Sequence, residues 1–272
     1  MNPRPRHEPS APSAVGSSAS GRAAVDRLAT SFGYQDVDPG AKSGRVRAVF
    51  DSVAGKYDIM NDVMSFGIHR LWKEAMLDWL APRPGRHYLD LAGGTGDIAQ
   101  RLLDRVDGKA RVTLIDINVA MLGVGRDRSL DSGWHSGIDW ITGDAQSLPL
   151  PAACIDACTM AFGIRNVTRI DRALAEIRRV LKPGGRFICL EFSRLQLSAF
   201  EGLYNRYSHD LLPLMGKLIA RDADSYRYLA ESIRRFPDQE TFAQLFRDTG
   251  FDQVRVRNLS GGVAALHSGW RL

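Results

Sequence analysis

Three aspartates end three apolar runs, each just before a turn of small residues. They are Asp90 in "HYLDLAGGTGD", Asp116 in "RVTLIDIN" and Asp144 in "IDWITGDAQSLPLP". A carboxylate at such a point can accept hydrogen bonds from both hydroxyls of a ribose, accept one from an adenine amino group, or face a cation. The first acid opens into Gly93, Gly94, Thr95 and Gly96, and the stretch from Gly94 to Ala99 reads G-x-G-x-x-A, the pattern of a dinucleotide loop. Glycines there let a ligand approach the backbone and leave amides free to bond it. Asp116 suits the ribose of a nicotinamide dinucleotide and that of S-adenosylmethionine equally well. Asp90 separates them: a pyrophosphate beside it meets like charge, whereas the sulfonium and ammonium of S-adenosylmethionine are favoured. Asp144 then stands where an adenine amino group can donate to it. The ordered set Asp90, Asp116, Asp144 points to S-adenosylmethionine and to methyl transfer, with a dehydrogenase on the same loop as the reading set aside.

The elements that would hold these acids alternate. Strand candidates are "HYLDLA", "RVTLIDI", "IDWIT", "CIDACTMAF" and "RFICLEF", and helices begin near Asp97, Asn118 and Thr168. Thr168 and Asp171 make a capping-box-like start, Ile170, Leu174, Ile177 and Leu181 recur at helical spacing, and "KPGG" ends the helix. Such alternation builds a parallel sheet covered on both faces. The C-terminus reads as two strands turning at Ser260-Gly261-Gly262, an antiparallel hairpin. The expected fold is therefore α/β, a doubly wound, mostly parallel, seven-stranded Rossmann-like sheet with a C-terminal antiparallel hairpin and a helical N-terminal lid. The domain reading is a disordered tail over 1–28, poor in apolar residues, and one domain over 29–272. Within it lie a lid (29–85), a cofactor-binding half (86–192), a helical substrate-pocket insertion (193–236) and a terminal helix with hairpin (237–272).

The stretches "LDLAGGTGD", "LIDIN", "GDAQSLPLP" and "RVLKPGGRFICLEFS" resemble the successive motifs of class I S-adenosylmethionine-dependent methyltransferases. "VFDSVAGKYDIMNDVMSFGIHRLWK", "FGIRNV" and "GGVAALHSGW" resemble the UbiE-type C-methyltransferases of ubiquinone and menaquinone biosynthesis, and the likeness runs from about Thr30 to the C-terminus. The resemblance implies C-methylation of a polyprenylated hydroquinol, either a 2-polyprenyl-6-methoxy-1,4-benzoquinol or a demethylmenaquinol. It implies cofactor contacts at Thr95, Asp116 and the Asp144–Ala145 pair, beside the loop residues Asp90, Gly94 and Gly96. Ala161 stands where some members of that family carry a serine that touches the cofactor.

Ring methylation needs an electron-rich carbon held in line with the sulfonium, and a cation or base that favours the phenolate. "FGIRN" follows the fourth strand, at the methyl end. Arg165 there is read either as a catalytic cation or as an ion pair tying the loop to the scaffold. Asn166 can bond a quinol oxygen. Tyr57, by the resemblance, is a second catalytic candidate, and His69 a substrate-binding one, although a His beside Arg70 in a helix also fits a plain surface position. "LLPLMGKLIA" (211–220), with Tyr204, Tyr207, Tyr226 and Tyr228 near it, is either a wall for the prenyl tail or ordinary helix packing.

The 36 Lys and Arg against 31 Asp and Glu give a net charge of +5, compatible with peripheral contact with an anionic membrane and equally with a solvated basic face. No dense Lys/Arg run or aromatic RNA-binding motif appears, so nucleic acid is not an expected partner. Cys154, Cys158 and Cys189 lie in apolar runs without C-x-x-C, and the six histidines lack ligand spacing, so neither disulfides nor a metal site is expected. The first 27 residues have no apolar signal core. They fit a bacterial tail on a cytoplasmic, membrane-associated protein, or a transit peptide leading to the matrix side of the mitochondrial inner membrane. A different lipid or phenolic acceptor, a non-catalytic scaffold subunit among other quinone-synthesis enzymes, and a homodimer stay open.

Overall fold

A computed structural model describes residues 19–53, 62, 65, 67–195 and 223–272. Five parallel strands form the body of a seven-stranded sheet: β3 (His87–Leu91), β4 (Arg111–Asp116), β5 (Ile138–Thr142), β6 (Ile155–Ala161) and β7 (Leu181–Phe192). β8 (Asp252–Leu259) and β9 (Ala264–Arg271) complete it as an antiparallel hairpin, in the order β5-β4-β3-β6-β7-β9-β8. The hairpin turns at Ser260–Gly262, where Gly261 takes φ 69°. β3 pairs with β4 on one side (Asp90↔Leu114) and with β6 on the other (Asp90↔Thr159). The chain order reverses there, which is where an open α/β sheet binds its ligand.

The inner strands β3, β4, β6 and β7 are largely apolar because both faces are covered, whereas β5 and β8 are edge strands. In β7, Phe187 and Cys189 enter one core with Leu89, Leu174 and Phe246, while Ile188 and Leu190 enter the other with Trp72, Met76 and Leu102. The covering helices are α3 (His69–Leu80), α4 (Asp97–Arg105), α5 (Val119–Asp131), α6 (Ile170–Val180) and α8 (Gln239–Asp248), and α7 (Ala223–Arg235) precedes the last of these. Asn118 caps α5 by accepting from the Met121 amide at 2.9 Å. α6 departs from the expected start: Arg169, not Thr168, occupies the cap position without a side-chain cap bond, and its guanidinium pairs instead with Asp171 at 2.7 Å. The acid that would have closed the capping box is held by a stronger, charge-assisted partner.

The N-terminal boundary also differs from expectation. Residues Ala19–Ala29 form a helix, α1, followed by a two-stranded ribbon, β1 (Ser31–Phe32) and β2 (Gln35–Asp36), and then α2 (Pro39–Val53). Ala24, Val25, Leu28 and Ala29 make a narrow buried stripe on α1, which packs against α8. Four small or medium apolar residues sufficed because the neighbouring helix supplies the rest of the core. The Lys42 ammonium of α2, 1% exposed, donates to the Leu28 carbonyl in the last turn of α1 at 2.7 Å. The ordered domain thus begins by residue 19, inside what composition alone assigns to a tail.

Candidate active site

At the C-terminal ends of β3 to β6 lies a cleft of about 800 Å³. Its nucleoside side is built from Gly94 after β3, Asp116 at the end of β4, and Asp144 and Ala145 after β5. Its other side carries Phe162, Gly163 and Asn166 after β6. One face of α2 closes it with Ser43, Val46, Arg47 and Phe50. These four residues stand at i, i+3, i+4 and i+7, so their common face was readable from spacing; the motifs drew attention elsewhere.

Backbone geometry opens the cleft. Ala92 and Phe162, the residues directly after β3 and β6, both take left-handed conformations, with φ 52° and 58°. Each costs of order 1 kcal/mol for a non-glycine residue. Both stay because the Ala92 amide bonds Ile115 O at 2.7 Å and the Phe162 amide bonds Leu190 O at 2.8 Å. Gly163 between them is obligatory in space, since an added Cβ would stand 2.6 Å from Ala92 Cβ. Gly94 has φ 54° and its amide donates to Asp116 Oδ2 at 2.9 Å, while the Asn118 amide donates to Oδ1 at 2.8 Å. Burial raises the Asp116 carboxyl above its ordinary range, and these backbone donors oppose the rise. The carboxylate is therefore oriented from behind, with remaining lone pairs for a diol. Asp144 is held likewise by the Gln146 amide at 2.9 Å. Gly96 serves the turn: at φ 80° its Cβ would meet Trp140 at 2.5 Å.

Asp90 occupies a separate position behind the glycine loop. Its Oδ1 accepts from Thr159 at 2.9 Å, and its Oδ2 is buried with no hydrogen-bond partner among the described residues. Burial pushes its carboxyl up to about 7, against the pull of the Thr159 hydrogen bond. A small cavity adjoins it, lined also by Lys73, Gly94, Thr95 and Asp97, with Lys73 Nζ and Asp97 Oδ2 paired at 2.7 Å. A Cβ on Gly93 would stand 2.8 Å from Asp90 Oδ2. An orphaned acid in a cradle that only glycine leaves open fits a ligand ammonium.

The remaining candidates are scattered. His69 lies away from the cleft and is 3% exposed rather than on the surface. Its Nε2 meets Asp62 Oδ1 at 2.9 Å, and burial lowers its pKa against that hydrogen bond. It lines a polar cavity with Thr95, Asp97 and Arg128. Arg165 is turned inward. Its Nη1 donates to Glu191 Oε1 and to Phe162 O, both at 2.6 Å, with side-chain exposures of 2% and 1% for the pair. Its guanidinium carbon lies 5.6 Å from the centre of the Phe192 ring. Of the two readings left open for Arg165, this geometry is that of the ion pair that ties the loop to β7. Glu191, which sequence reasoning missed, is the one acid inside the run "RFICLEF", and that isolation was the available signal. Tyr228 is buried, stacked on Phe32 and bonded to Asn166, so it is no exposed channel wall. Tyr57, Tyr204, Tyr207 and residues 211–220 lie outside the described residues, as does the Tyr226 side chain.

A cleft with Asp116 and Asp144 at one end and the buried Asp90 beside it suits a cationic nucleoside, and the solved structures it aligns with include S-adenosylmethionine-dependent methyltransferases. A S-adenosylmethionine-dependent methyltransferase of Aquifex aeolicus aligns with a TM-score of 0.56 at 17% identity, covering 74% of this chain and 89% of that one. A geranyl diphosphate C-methyltransferase of Streptomyces coelicolor aligns with a TM-score of 0.55 at 12% identity, over 78% and 83%. The fold is that of the class I S-adenosylmethionine-dependent methyltransferases. Residues 39–271 match the model of the ubiE/COQ5 methyltransferase family, and the chain belongs to that family. It is 56% identical over 243 residues to the ubiquinone/menaquinone biosynthesis C-methyltransferase UbiE of Paracoccus denitrificans, covering 89% of this chain and 97% of that protein. The Acidiphilium cryptum protein of the same name is 57% identical over 241 residues, covering 89% and 96%. The protein is a methyltransferase, and S-adenosylmethionine is its methyl donor.

Proposed function

We propose that the enzyme methylates a ring carbon of a polyprenylated hydroquinol in ubiquinone or menaquinone biosynthesis. The observation that carries this is the cleft itself. Asp116 and Asp144 form a nucleoside end, and Val46, Phe50 and Phe162 present an apolar enclosure in which Asn166 is a polar handle beside Ser43 and Arg47 of α2. In this reading Asp116 accepts the ribose hydroxyls, Asp144 and Ala145 meet the adenine, Asp90 faces the ammonium, and Thr95 supports the amino-acid end. S-adenosylmethionine supplies an electrophilic methyl group. The acceptor's phenolic proton passes to water, the ring carbon forms its new bond as the carbon–sulfur bond breaks, and the same carbon then releases its proton to water. The protein's residues bind, orient and exclude bulk water. Arg165 acts through the loop, as a positioning residue that the Glu191 pair holds in place. Tyr57 is carried as a second catalytic candidate; His69, buried against Asp62 and away from the cleft, is given no contact with the acceptor.

Labelled S-adenosylmethionine incubated with short-chain benzoquinol and naphthoquinol acceptors tests the reading. Label appearing on a ring carbon is the expected outcome. Tight S-adenosylhomocysteine binding with no methylated quinol, or label going only to other phenolic lipids, would overturn it.

A further inference from the structure

Asn166 lines the cleft at the end of the short turn Ile164–Asn166. Its side-chain carbonyl is already taken: Tyr228 Oη donates to Oδ1 at 2.9 Å. The Tyr228 ring is 4% exposed and stacks on Phe32 of the N-terminal ribbon, centroids 4.4 Å apart and planes 21° from parallel. Burial raises its pKa, so the phenol keeps its proton at working pH. If the amide turned over, Nδ2 would donate to Oη, and the phenol hydrogen would be buried without an acceptor among the described residues. That is the costlier arrangement. The stack fixes the ring, the ring fixes the hydroxyl, and the hydroxyl fixes the amide. What Asn166 then offers the cleft is the pair of Nδ2 hydrogens.

We propose that Tyr228 is a positioning residue that makes Asn166 a hydrogen-bond donor, so that the site selects the ionised, phenolate form of its acceptor. This rests on the reading of the acceptor as a hydroquinol. A quinol hydroxyl can donate or accept, but a phenolate oxygen only accepts. An amide that presents N–H alone favours the phenolate, and the acceptor's O–H bond breaks with its proton passing to water. The Phe32 contact also gives the N-terminal ribbon a part in the chemistry without its touching the substrate.

Other charges face this point. Arg165 approaches from the turn after β6, Glu191 from β7, Lys42 from beneath Val167 and Arg47 from α2. Tyr228→Phe keeps the stacked ring and all four charges. It should lower the melting temperature by about 2–4 °C, the loss of one hydrogen bond, and leave S-adenosylhomocysteine affinity unchanged. The rising limb of kcat against pH should move about one pH unit upward, so that turnover falls about tenfold at pH 7 and recovers in alkali. In an Asn166→Ala background the same change should cost nothing further. Asn166→Asp, which still accepts from Tyr228 but presents a carboxylate oxygen, should lose more than a hundredfold with folding intact. A uniform loss at every pH, an additive double variant, or an active Asn166→Asp would overturn the proposal. One arm needs no acceptor: the Asn166 side-chain amide resonances in ¹⁵N-asparagine-labelled protein should shift on Tyr228→Phe, and unmoved resonances would also overturn it. If instead the wild type methylates no quinol while those resonances do shift, it is the reading of the acceptor that fails and the amide orientation that stands.

Discussion

Replacing Asp90 by Asn should make the cofactor-free protein less stable than wild type in acid and more stable in alkali. The carboxyl rises from an ordinary 3.8 to about 7 because it is buried, against the pull of hydrogen bonds from the Thr159 hydroxyl and the Ala99 backbone. Between those values the unfolded chain has lost a proton that the folded protein keeps, so wild-type stability falls as pH rises through that window and is level above it. The full drop is about 4 kcal/mol, at roughly 1.4 kcal/mol for each tenfold in proton concentration. Asn keeps an acceptor for Thr159 but places an NH₂ where Oδ2 has no partner, a pH-independent cost of about 1–3 kcal/mol. The difference should therefore change sign, from a net loss near pH 4 to a net gain of about 1–3 kcal/mol at pH 8.5. Urea unfolding at several pH values measures it. The cationic ligand should reverse the ranking, since an ammonium beside Asp90 stabilises the carboxylate. Binding near pH 7 should then release about half a proton per molecule in wild type and none in Asp90→Asn, as read by calorimetry in buffers of different ionisation enthalpy. A difference between the two proteins that stayed constant with pH would refute the reasoning.

Asp116→Ala should weaken S-adenosylhomocysteine binding by one to two orders of magnitude in calorimetry, because two charge-assisted bonds to the ribose are lost. Glu191→Gln or Arg165→Ala should each destabilise by about 3–5 kcal/mol, and pairing Arg165→Met with Glu191→Leu should recover much of that, since breaking a buried pair costs more than replacing it. Thermal melts decide this, and an Arg165→Ala protein that melted normally yet lost only turnover would restore the catalytic reading of Arg165. Deleting residues 1–18 keeps every described contact and should leave the melting temperature unchanged. Deleting 1–29 strips Val25 and Leu28 from α8 and the acceptor from Lys42, and should cost about 3 kcal/mol or more. If the net charge of +5 draws the protein to anionic lipid, that contact is electrostatic. Flotation with anionic vesicles should then weaken at high salt, and binding indifferent to salt would remove the electrostatic component.

What the sequence made legible follows from what it encodes locally. A strand buried on both faces reads as a nearly unbroken apolar run, so β3, β4, β6 and β7 stand out. An acid at the end of such a run is conspicuous, which is why Asp90, Asp116 and Asp144 could be placed in order before their geometry was known. Arg165 could not be decided in the same way. Its partner is 26 residues distant, and only the pairing of β6 with β7 brings the two together. His69, a substrate-binding candidate that also fitted a surface position beside Arg70, owes its burial in part to bonds with Asp62 and Ser65 that no helical period reveals. The same holds for α1, too poor in apolar residues to fold alone and held by α8 and by Lys42 of α2.

These cases share a cause: each role is set by a partner outside the residue's own motif. Asn166 carries the point furthest. An amide can donate or accept, and nothing in "FGIRNV" says which. The choice rests with Tyr228, 62 residues on, and its ring is seated by Phe32 from the start of the fold. Chemistry at the methyl end is thus decided by three segments that are far apart in the chain. A motif names the group that meets the substrate; whether that group gives or takes a hydrogen bond depends on the residue behind it.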